Sequence, residues 1–557
     1  MRSLPTWLRE TGVRIRASDG AGFAILLLVC LVSWIPRMNA EWAITHDSVI
    51  YVGGARTLAE FEGYRYWEWI GRPKIGYFPP LHSLLLAPAF WLRHGLSEAL
   101  TIIRWTVFAE GLVALGGIYT LLRLLRLPWF AAAGIVASLG TSQAWLRLQE
   151  GLMADYLFLA LLYWGIVFAF LGRDRSKSAF YWVCIGTLLG LLYLTRTAAV
   201  AWFPLLIAGV AVPALGRWKR AAAFVPLGTL VLGWSLWKSG TTGYSEVLKD
   251  CIEQEVGGLS RYPAFLLHNW WVSLSGEQFG GAFAGIFYRP PRVLLDRMPG
   301  LSWLLEAGRP CLVAVLLAAI ALELFAQLKS LRGAAIDSSR RAVRSEVHVG
   351  LDLLLAAGAS LYLFMIVTLP SPAFGWSRYF LVVIPLFMAW AWLGFSRNMP
   401  ARIPWMPVAG VLLGLNTGYN LALERTVIQQ SGFLSDAPRL EIRQVADWIR
   451  NRLPAEAKVA GDFRIPSLHL AEALGRPLVI DYLAPASNWQ PASHRDVGYS
   501  RADYVVVTRE DLPWHLQTGM FTTQYDVPGN RFVVLQVLPS AEEAFRSKRS
   551  IPPPRAK

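Results

Sequence analysis

The sequence predicts an all-α polytopic membrane protein of about 11 transmembrane helices, each needing ~20 apolar residues, with a small C-terminal α/β extracytoplasmic domain. Three observations carry this. Of 557 residues, 54% are hydrophobic and only 16% charged, against roughly a quarter charged in a soluble domain. The apolar residues fall into runs of bilayer-crossing length, and the mean hydropathy is +0.39. The short basic connections between those runs share one side of the membrane under a single threading, as the inward bias of lysine and arginine requires. The composition excludes a disordered, collagenous or disulfide-built chain. Cys30, Cys184, Cys251 and Cys311 show neither a disulfide framework nor zinc-ligand spacing. The net charge of +15 is that of cytoplasmic membrane loops, so no nucleic-acid partner is expected.

Arg2, Arg9, Arg14 and Arg16 precede the apolar run Ala21–Ile35, the pattern of a signal anchor; cleavage near Met38-Asn39-Ala40 is the weaker alternative. Further apolar runs are 105–122, 129–146, 152–171, 179–194, 197–215, 221–237, 310–328, 350–369, 379–395 and 403–421. Pro79–Leu92 is too short to span and holds Pro88, so it reads as interfacial or re-entrant. The basic connections are Arg123/Arg126, Arg173/Arg175/Lys177, Arg217/Lys219/Arg220, Lys329/Arg332/Arg340/Arg341/Arg344 and Arg397/Arg402. All become cytoplasmic with the N-terminus inside, provided Pro79–Leu92 does not cross. The expectation is eleven spans in the cytoplasmic (inner) membrane, with the C-terminus outside. The outer side then holds the loops 37–104, 147–151 and 238–308, the connections Leu194–Thr197 and Pro370–Arg378, and the tail after residue 421.

The tail reads as an extracytoplasmic α/β domain over 422–540 and a disordered end over 541–557. Ile442, Val445, Ile449 and Leu453 recur at helical spacing. Lys458-Val459-Ala460 and Pro477–Ile480 suit short strands around a helix at Ile465–Leu474. Tyr504–Thr508 (YVVVT) suits a buried strand, and Phe521–Leu538 a hairpin turning at Pro528-Gly529-Asn530.

Several polar residues stand where the outer membrane surface is expected. Asp47, in Thr45-His46-Asp47-Ser48, opens an amphipathic stretch; it is either a helix cap or a general base. Asp155, in Met153-Ala154-Asp155-Tyr156, begins a span, where an acid also suits the helix dipole; Glu150 is a weaker neighbour. Arg196 and Arg378 enter apolar runs from the outside, against the positive-inside bias. Each either snorkels or meets an anion such as a phosphate. His82 follows Pro79-Pro80 and is either a polar contact or a ligand contact. Lys74 and Arg72 suit lipid headgroups or a phosphate. There is no nucleotide-binding Gly-rich fingerprint, which leaves an ATP-driven transporter without an engine. The charges were expected to cluster at outer helix ends, whereas a secondary transporter places ionisable groups within its spans.

Five segments resemble the C-type (GT-C) glycosyltransferases, in particular the protein O-mannosyltransferase and lipid A aminoarabinose transferase branch. HDSVIY is similar to that family's Asp-Glu…Tyr segment, and GYFPPLHSLLLAP to its Pro-Pro-Leu interfacial helix. LMADYLFLALL resembles its acidic span start, GTLLGLLYLTRTAAV its Leu-Thr-Arg segment, and SRYFLVVIPLF its late Arg-Tyr segment. Ser48 stands where the family usually has Glu after the catalytic Asp. The resemblance implies a GT-C transmembrane catalytic domain over 1–421 and hexosyl or pentosyl transfer from a polyprenyl-phosphate-linked sugar. A lipid, glycan or protein would be the acceptor. It implies Asp47 as catalytic base and Asp155 as second acid, with His46, Lys74, His82, Arg196, Arg378 and Tyr379 binding substrate. No cofactor is required on this view; a divalent Mg or Mn ion between Asp47 and Asp155 is the alternative. A transporter or flippase of lipid-linked saccharides, or a glycan polymerase or ligase, are the competing functions.

Overall fold

A computed structural model describes residues 17–38, 46–171, 178–203, 222–239, 252, 258–274, 311, 313–329, 342–368, 377–400, 404–431, 437–461, 467–479, 502–509, 512–517 and 521–538. The signal-anchor arginines, most of the loop 238–308 and the end 541–557 lie outside the described residues, and so does Cys251.

The chain opens with α1 (Ala17–Trp34), then α2 (His46–Ala59), α3 (Leu81–Leu86) and α4 (Pro88–Leu92). Next come α5 (Leu96–Leu124), α6 (Trp129–Gly140), α7 (Gln143–Glu150), α8 (Asp155–Leu171) and α9 (Ala179–Thr195), with a 3₁₀ segment at Thr197–Trp202. They are followed by α10 (Phe224–Trp237), α11 (Tyr262–Leu274), α12 (313–329), α13 (Ala342–Val367), α14 (Ser377–Phe380), α15 (Ile384–Asn398) and α16 (Trp405–Ser431). This part is mostly helical among the described residues. Among the described residues, Gly20–Arg37 and Leu96–Leu124 are long and apolar enough to cross a membrane unaided, and Trp129–Gly140, Asp155–Ala169, Ala179–Thr195, Phe224–Trp237 and Leu355–Val367 are shorter apolar helices.

The apolar run 129–146 does not form one helix. Thr141 turns its hydroxyl onto the Ala137 carbonyl at 2.8 Å, and the Ser142 hydroxyl accepts from the Trp145 amide at 3.2 Å. Ser142 therefore caps a new helix, α7, instead of continuing α6. Pro88 likewise divides Leu81–Leu92 into α3 and α4, since its ring cannot donate to the helix ladder.

The core of the helical part is aromatic. Trp34 stacks on Tyr156 with centroids 5.9 Å apart and meets Phe108 edge-on at 5.2 Å. Trp34 Nε1 donates to Gly140 O at 2.8 Å and the Tyr156 hydroxyl to Trp145 O at 2.7 Å. Each ring is thus packed and its polar tip satisfied, which fixes α1, α6, α7 and α8 together at one end. Tyr163, two turns into α8, donates to Val382 O at 2.9 Å. This bond ties the Asp155 helix to the segment just after Arg378.

The C-terminal elements are α17 (Ala437–Arg452), β1 (Val459–Gly461), α18 (Ser467–Leu474), β2 (Tyr504–Thr508), α19 (Leu512–Gln517), β3 (Phe521–Tyr525) and β4 (Phe532–Val537). The sheet order is β1-β2-β4-β3, with β1 parallel to β2 and the other pairs antiparallel. One face packs on α17 and α18 through Ile442, Val445, Ile449, Leu470 and Val506. The β3–β4 hairpin turns through Gly529, whose φ of +87° belongs to glycine.

The outer loop after α2 joins this sheet. Residues 64–66 pair back on 73–75, with Tyr66 N on Pro73 O at 3.0 Å and Ile75 N on Tyr64 O at 3.1 Å. Glu68 O accepts from Leu478 N at 2.7 Å, and Ile70 N donates to Leu478 O at 2.9 Å. Val479 in turn bridges Ala460 of β1. Leu96 N donates to Glu472 at 2.7 Å, and Arg56 lies 3.7 Å over the Trp67 ring and 3.6 Å from Glu472. The C-terminal sheet and the first outer loop are therefore hydrogen-bonded as one unit. Glu68 is fully buried at this junction, and burial pushes its carboxyl up to about 8, outweighing the opposing bonds from the Trp67 and Glu68 backbone and the Trp69 side chain.

Candidate active site

Four elements converge at one end of the helical part. Asp47 stands in the first turn of α2, and Asp155 is the first residue of α8. Both carboxylates thus sit at helix N-termini, where the partial positive charge of unpaired amides favours an anion. Arg196 ends α9 in extended backbone, φ −151° and ψ 131°, before the 3₁₀ turn. Arg378 lies in the short α14.

The side chains form one chain, with an acid at each end and two guanidiniums about a central tyrosine. Arg196 Nη1 donates to Asp155 Oδ1 at 2.6 Å. Arg196 lies 5.0 Å over the Tyr379 ring, and Arg378 lies 4.8 Å over the same ring. Arg378 Nη2 donates to the Tyr379 hydroxyl at 2.9 Å, and its Nη1 to Asp47 Oδ2 at 3.0 Å. The order is therefore Asp155, Arg196, Tyr379, Arg378, Asp47. The Tyr379 ring lets two like charges approach, because its π face attracts both guanidiniums. The Asp155 and Arg196 side chains are 4% and 14% exposed, and those of Asp47 and Arg378 are 18% and 26% exposed. The Asp47 end is the more open. Asp155 Oδ2 is buried with no hydrogen-bond partner among the described residues. A buried orphan acceptor of this kind costs about 1–3 kcal/mol and is a landing point for a hydroxyl or amine.

Tyr51, one turn after Asp47, is buried. Burial raises its hydroxyl well above the usual phenol range, partly offset by the Arg196 charge. An apolar cleft is lined by Trp270, Val313, Leu317, Ile320, Phe380 and Phe387, and Phe380 is the residue after Tyr379.

The remaining sequence-singled residues lie elsewhere. Lys74 is on the 73–75 arm of the outer loop, its Nζ 5.1 Å over the Trp237 ring. Arg72 is paired with Glu62 and, at 3.2 Å, with Glu60. His82 is fully buried: Nε2 faces Leu152 O at 3.2 Å and Nδ1 faces Glu110 Oε1 at 3.3 Å. The side chains of His46 and Glu150 lie outside the described residues.

Sequence reasoning passed over Glu110, in α5, and Glu323, in α12. Both are buried inside apolar runs, so the expected clustering of charge at outer helix ends is incomplete. Each has a basic neighbour: the His82 ring at 3.3 Å for Glu110, and Arg397 at 3.2 Å for Glu323. The signal was in the sequence, since a lone acid in an apolar run is costly and carries a function by default. Among the described residues, no group of three or more His, Cys, Asp or Glu side chains forms a metal-holding cluster.

No family model matches the chain, and no curated protein does. Solved structures do. ArnT from Cupriavidus metallidurans bound to undecaprenyl phosphate superposes with a TM-score of 0.50 at 15% identity, covering 93% of this chain and 98% of that one. The apo state of the same protein gives 0.43 at 14% identity, covering 94% and 99%. The Archaeoglobus fulgidus oligosaccharyltransferase complex with Zn and sulfate gives 0.44 at 15% identity, covering 91% and 72%. The first of these spans nearly the whole of both chains, and the chain shares its C-type glycosyltransferase fold.

Proposed function

We propose that this chain is an integral membrane glycosyltransferase that moves a sugar from a polyprenyl-phosphate donor to an acceptor at the outer face of the membrane. One observation carries the proposal: a carboxylate–guanidinium pair stands on each side of Tyr379, and the next residue, Phe380, lines an apolar cleft. That set suits a substrate with an anionic head, a sugar and a long apolar tail. The fold is consistent with it, since the ArnT structure of that fold is described as bound to undecaprenyl phosphate. The eleven-span topology with both acids outside belongs to the same proposal.

The chemistry follows from the residues. The donor phosphate takes the place of Asp47 on Arg378, whose planar fork suits two phosphate oxygens. Asp47, released from its ion pair, accepts the proton of the acceptor hydroxyl or amine. The acceptor lone pair forms the new bond to the anomeric carbon as the bond from that carbon to the phosphate oxygen breaks. The phosphate keeps the electron pair, and Arg378 and Arg196 stabilise the charge that develops there. Positive charge on the ring passes through an oxocarbenium-like maximum. Asp155 Oδ2 accepts a hydrogen bond donated by a sugar hydroxyl. In this scheme the guanidiniums supply the charge stabilisation, and no divalent ion takes part.

The buried acids Glu110 and Glu323 are the one feature that favours a transporter of lipid-linked saccharides instead. Purified protein in liposomes, given a labelled polyprenyl-phosphate sugar and candidate acceptors, separates the two. Release of polyprenyl phosphate with sugar on the acceptor supports the transferase; movement of intact donor between leaflets without transfer overturns it.

A further inference from the structure

We propose that Glu110 and His82 are positioning residues that hold the Asp155 turn in its working shape. The proposal rests on the transferase assignment above. The turn is Gly151-Leu152-Met153, between α7 and Asp155. Leu152 sits at φ +47°, a left-handed conformation that a branched side chain adopts only where its surroundings hold it. Two side chains take the carbonyls of this turn. Ser48, the neighbour of Asp47, donates its hydroxyl to Gly151 O. His82 Nε2 reaches Leu152 O at 3.2 Å. The third residue, Met153, puts its sulfur 3.8 Å from Arg378 Nη1. The turn thus touches the Asp47 helix, α2, through Ser48, the arginine through Met153, and Asp155 through the chain.

The proton count explains Glu110. A carbonyl only accepts, so His82 Nε2 must carry a hydrogen. Nδ1 faces the Glu110 carboxyl at 3.3 Å, and the ring and carboxyl side chains are 0% and 5% exposed. The Glu110 carboxyl is the polar group that faces Nδ1, and Nε2 is turned to Leu152 O. Glu110 selects the tautomer that points a donor at Leu152. The Tyr51 ring, edge-on to His82 at 5.1 Å, holds the imidazole plane.

The test uses the full-length protein. His82→Phe keeps an aromatic ring against Tyr51 but has no donor. It should lower kcat on the order of 100-fold, the scale of an ångström-size misplacement, with donor KM unchanged. Glu110→Leu should do the same. Glu110→Gln should restore activity to within a few-fold, because its amide donates to Nδ1 and keeps Nε2 protonated. A parallel measurement needs no activity: hydrogen exchange over 147–156 should speed up in His82→Phe while the melting temperature holds. Equal kcat, or exchange unchanged in that segment, overturns the relay. Equal loss in Glu110→Gln and Glu110→Leu with a lowered melting temperature also overturns it, by reducing the pair to packing. Wild-type protein that transfers no sugar would sink the transferase assignment instead, while the exchange result would still decide the relay.

Discussion

Arg378 Nη1 lies 3.0 Å from Asp47 Oδ2, across 331 residues of sequence. A capping aspartate needs no such partner, and a snorkelling arginine would turn to lipid headgroups. The pair instead places an acid and a cation where one anion can separate them.

Asp47→Asn is the sharpest single test. Asparagine caps a helix about as well as aspartate, and its amide accepts no proton at neutral pH. Transfer should fall by at least about 100-fold, within the usual contribution of a side-chain base, with an unchanged melting temperature in detergent. Activity within a few-fold of wild type would remove Asp47 from the chemistry.

Arg378→Lys should lose most of the activity while the protein still inserts. The guanidinium donates to Asp47 and to the Tyr379 hydroxyl at once, and a lysine ammonium lacks that fork. Steady-state transfer with synthetic donor reads the loss. Full activity in the lysine variant would leave only a point charge.

Dialysis against EDTA should leave transfer intact, because guanidiniums flank both carboxylates. Loss of activity restored by Mg or Mn would bring back the divalent-ion alternative.

The junction at Glu68 should be sensitive to pH. Its carboxyl ionises near 8 when folded, against a usual value near 4.5. The folded state thus holds the proton over the interval where the unfolded chain has lost it. Stability is greatest below about 4.5 and declines as pH rises towards 8, then levels off. Glu68→Gln should flatten that slope in a pH series of thermal melts; an identical slope would show that other groups set it.

An alkaline phosphatase that matures only outside the cytoplasm, fused at Lys557, should be active, and one fused near Arg175 inactive. The opposite result would reverse the threading drawn from the basic loops.

The two arginines were legible because they break the charge rule of membrane proteins: each enters an apolar run from the side where basic residues are scarce. Tyr379 came with Arg378 as its neighbour. What no spacing revealed was the pairing. Nothing local links position 47 to 378 or 155 to 196, and only the packing of α2, α8, α9 and α14 does so. Glu110 was missed because attention went to helix ends, although its charge inside an apolar run was the signal. The end of α6 at Gly140 was hidden for another reason. Thr141 and Ser142 are compatible with a continuing apolar helix by hydropathy, and only their hydroxyl bonds to the backbone show the break. In the tail, YVVVT was legible as the buried β2 because a run of β-branched residues leaves few alternatives.

The bonds between the outer loop and the C-terminal sheet set an order of manufacture. Leu96 and its partner Glu472 are 376 positions apart, so the ribosome delivers the Asp47 loop long before the strand that Glu68 and Ile70 clasp. During synthesis at ~5–20 residues per second, that loop waits at the membrane surface without its roof. A chain cut short before Leu478 can build most of its helices, yet it never receives the edge that closes the loop. Closure of the loop therefore waits until synthesis has passed Leu478.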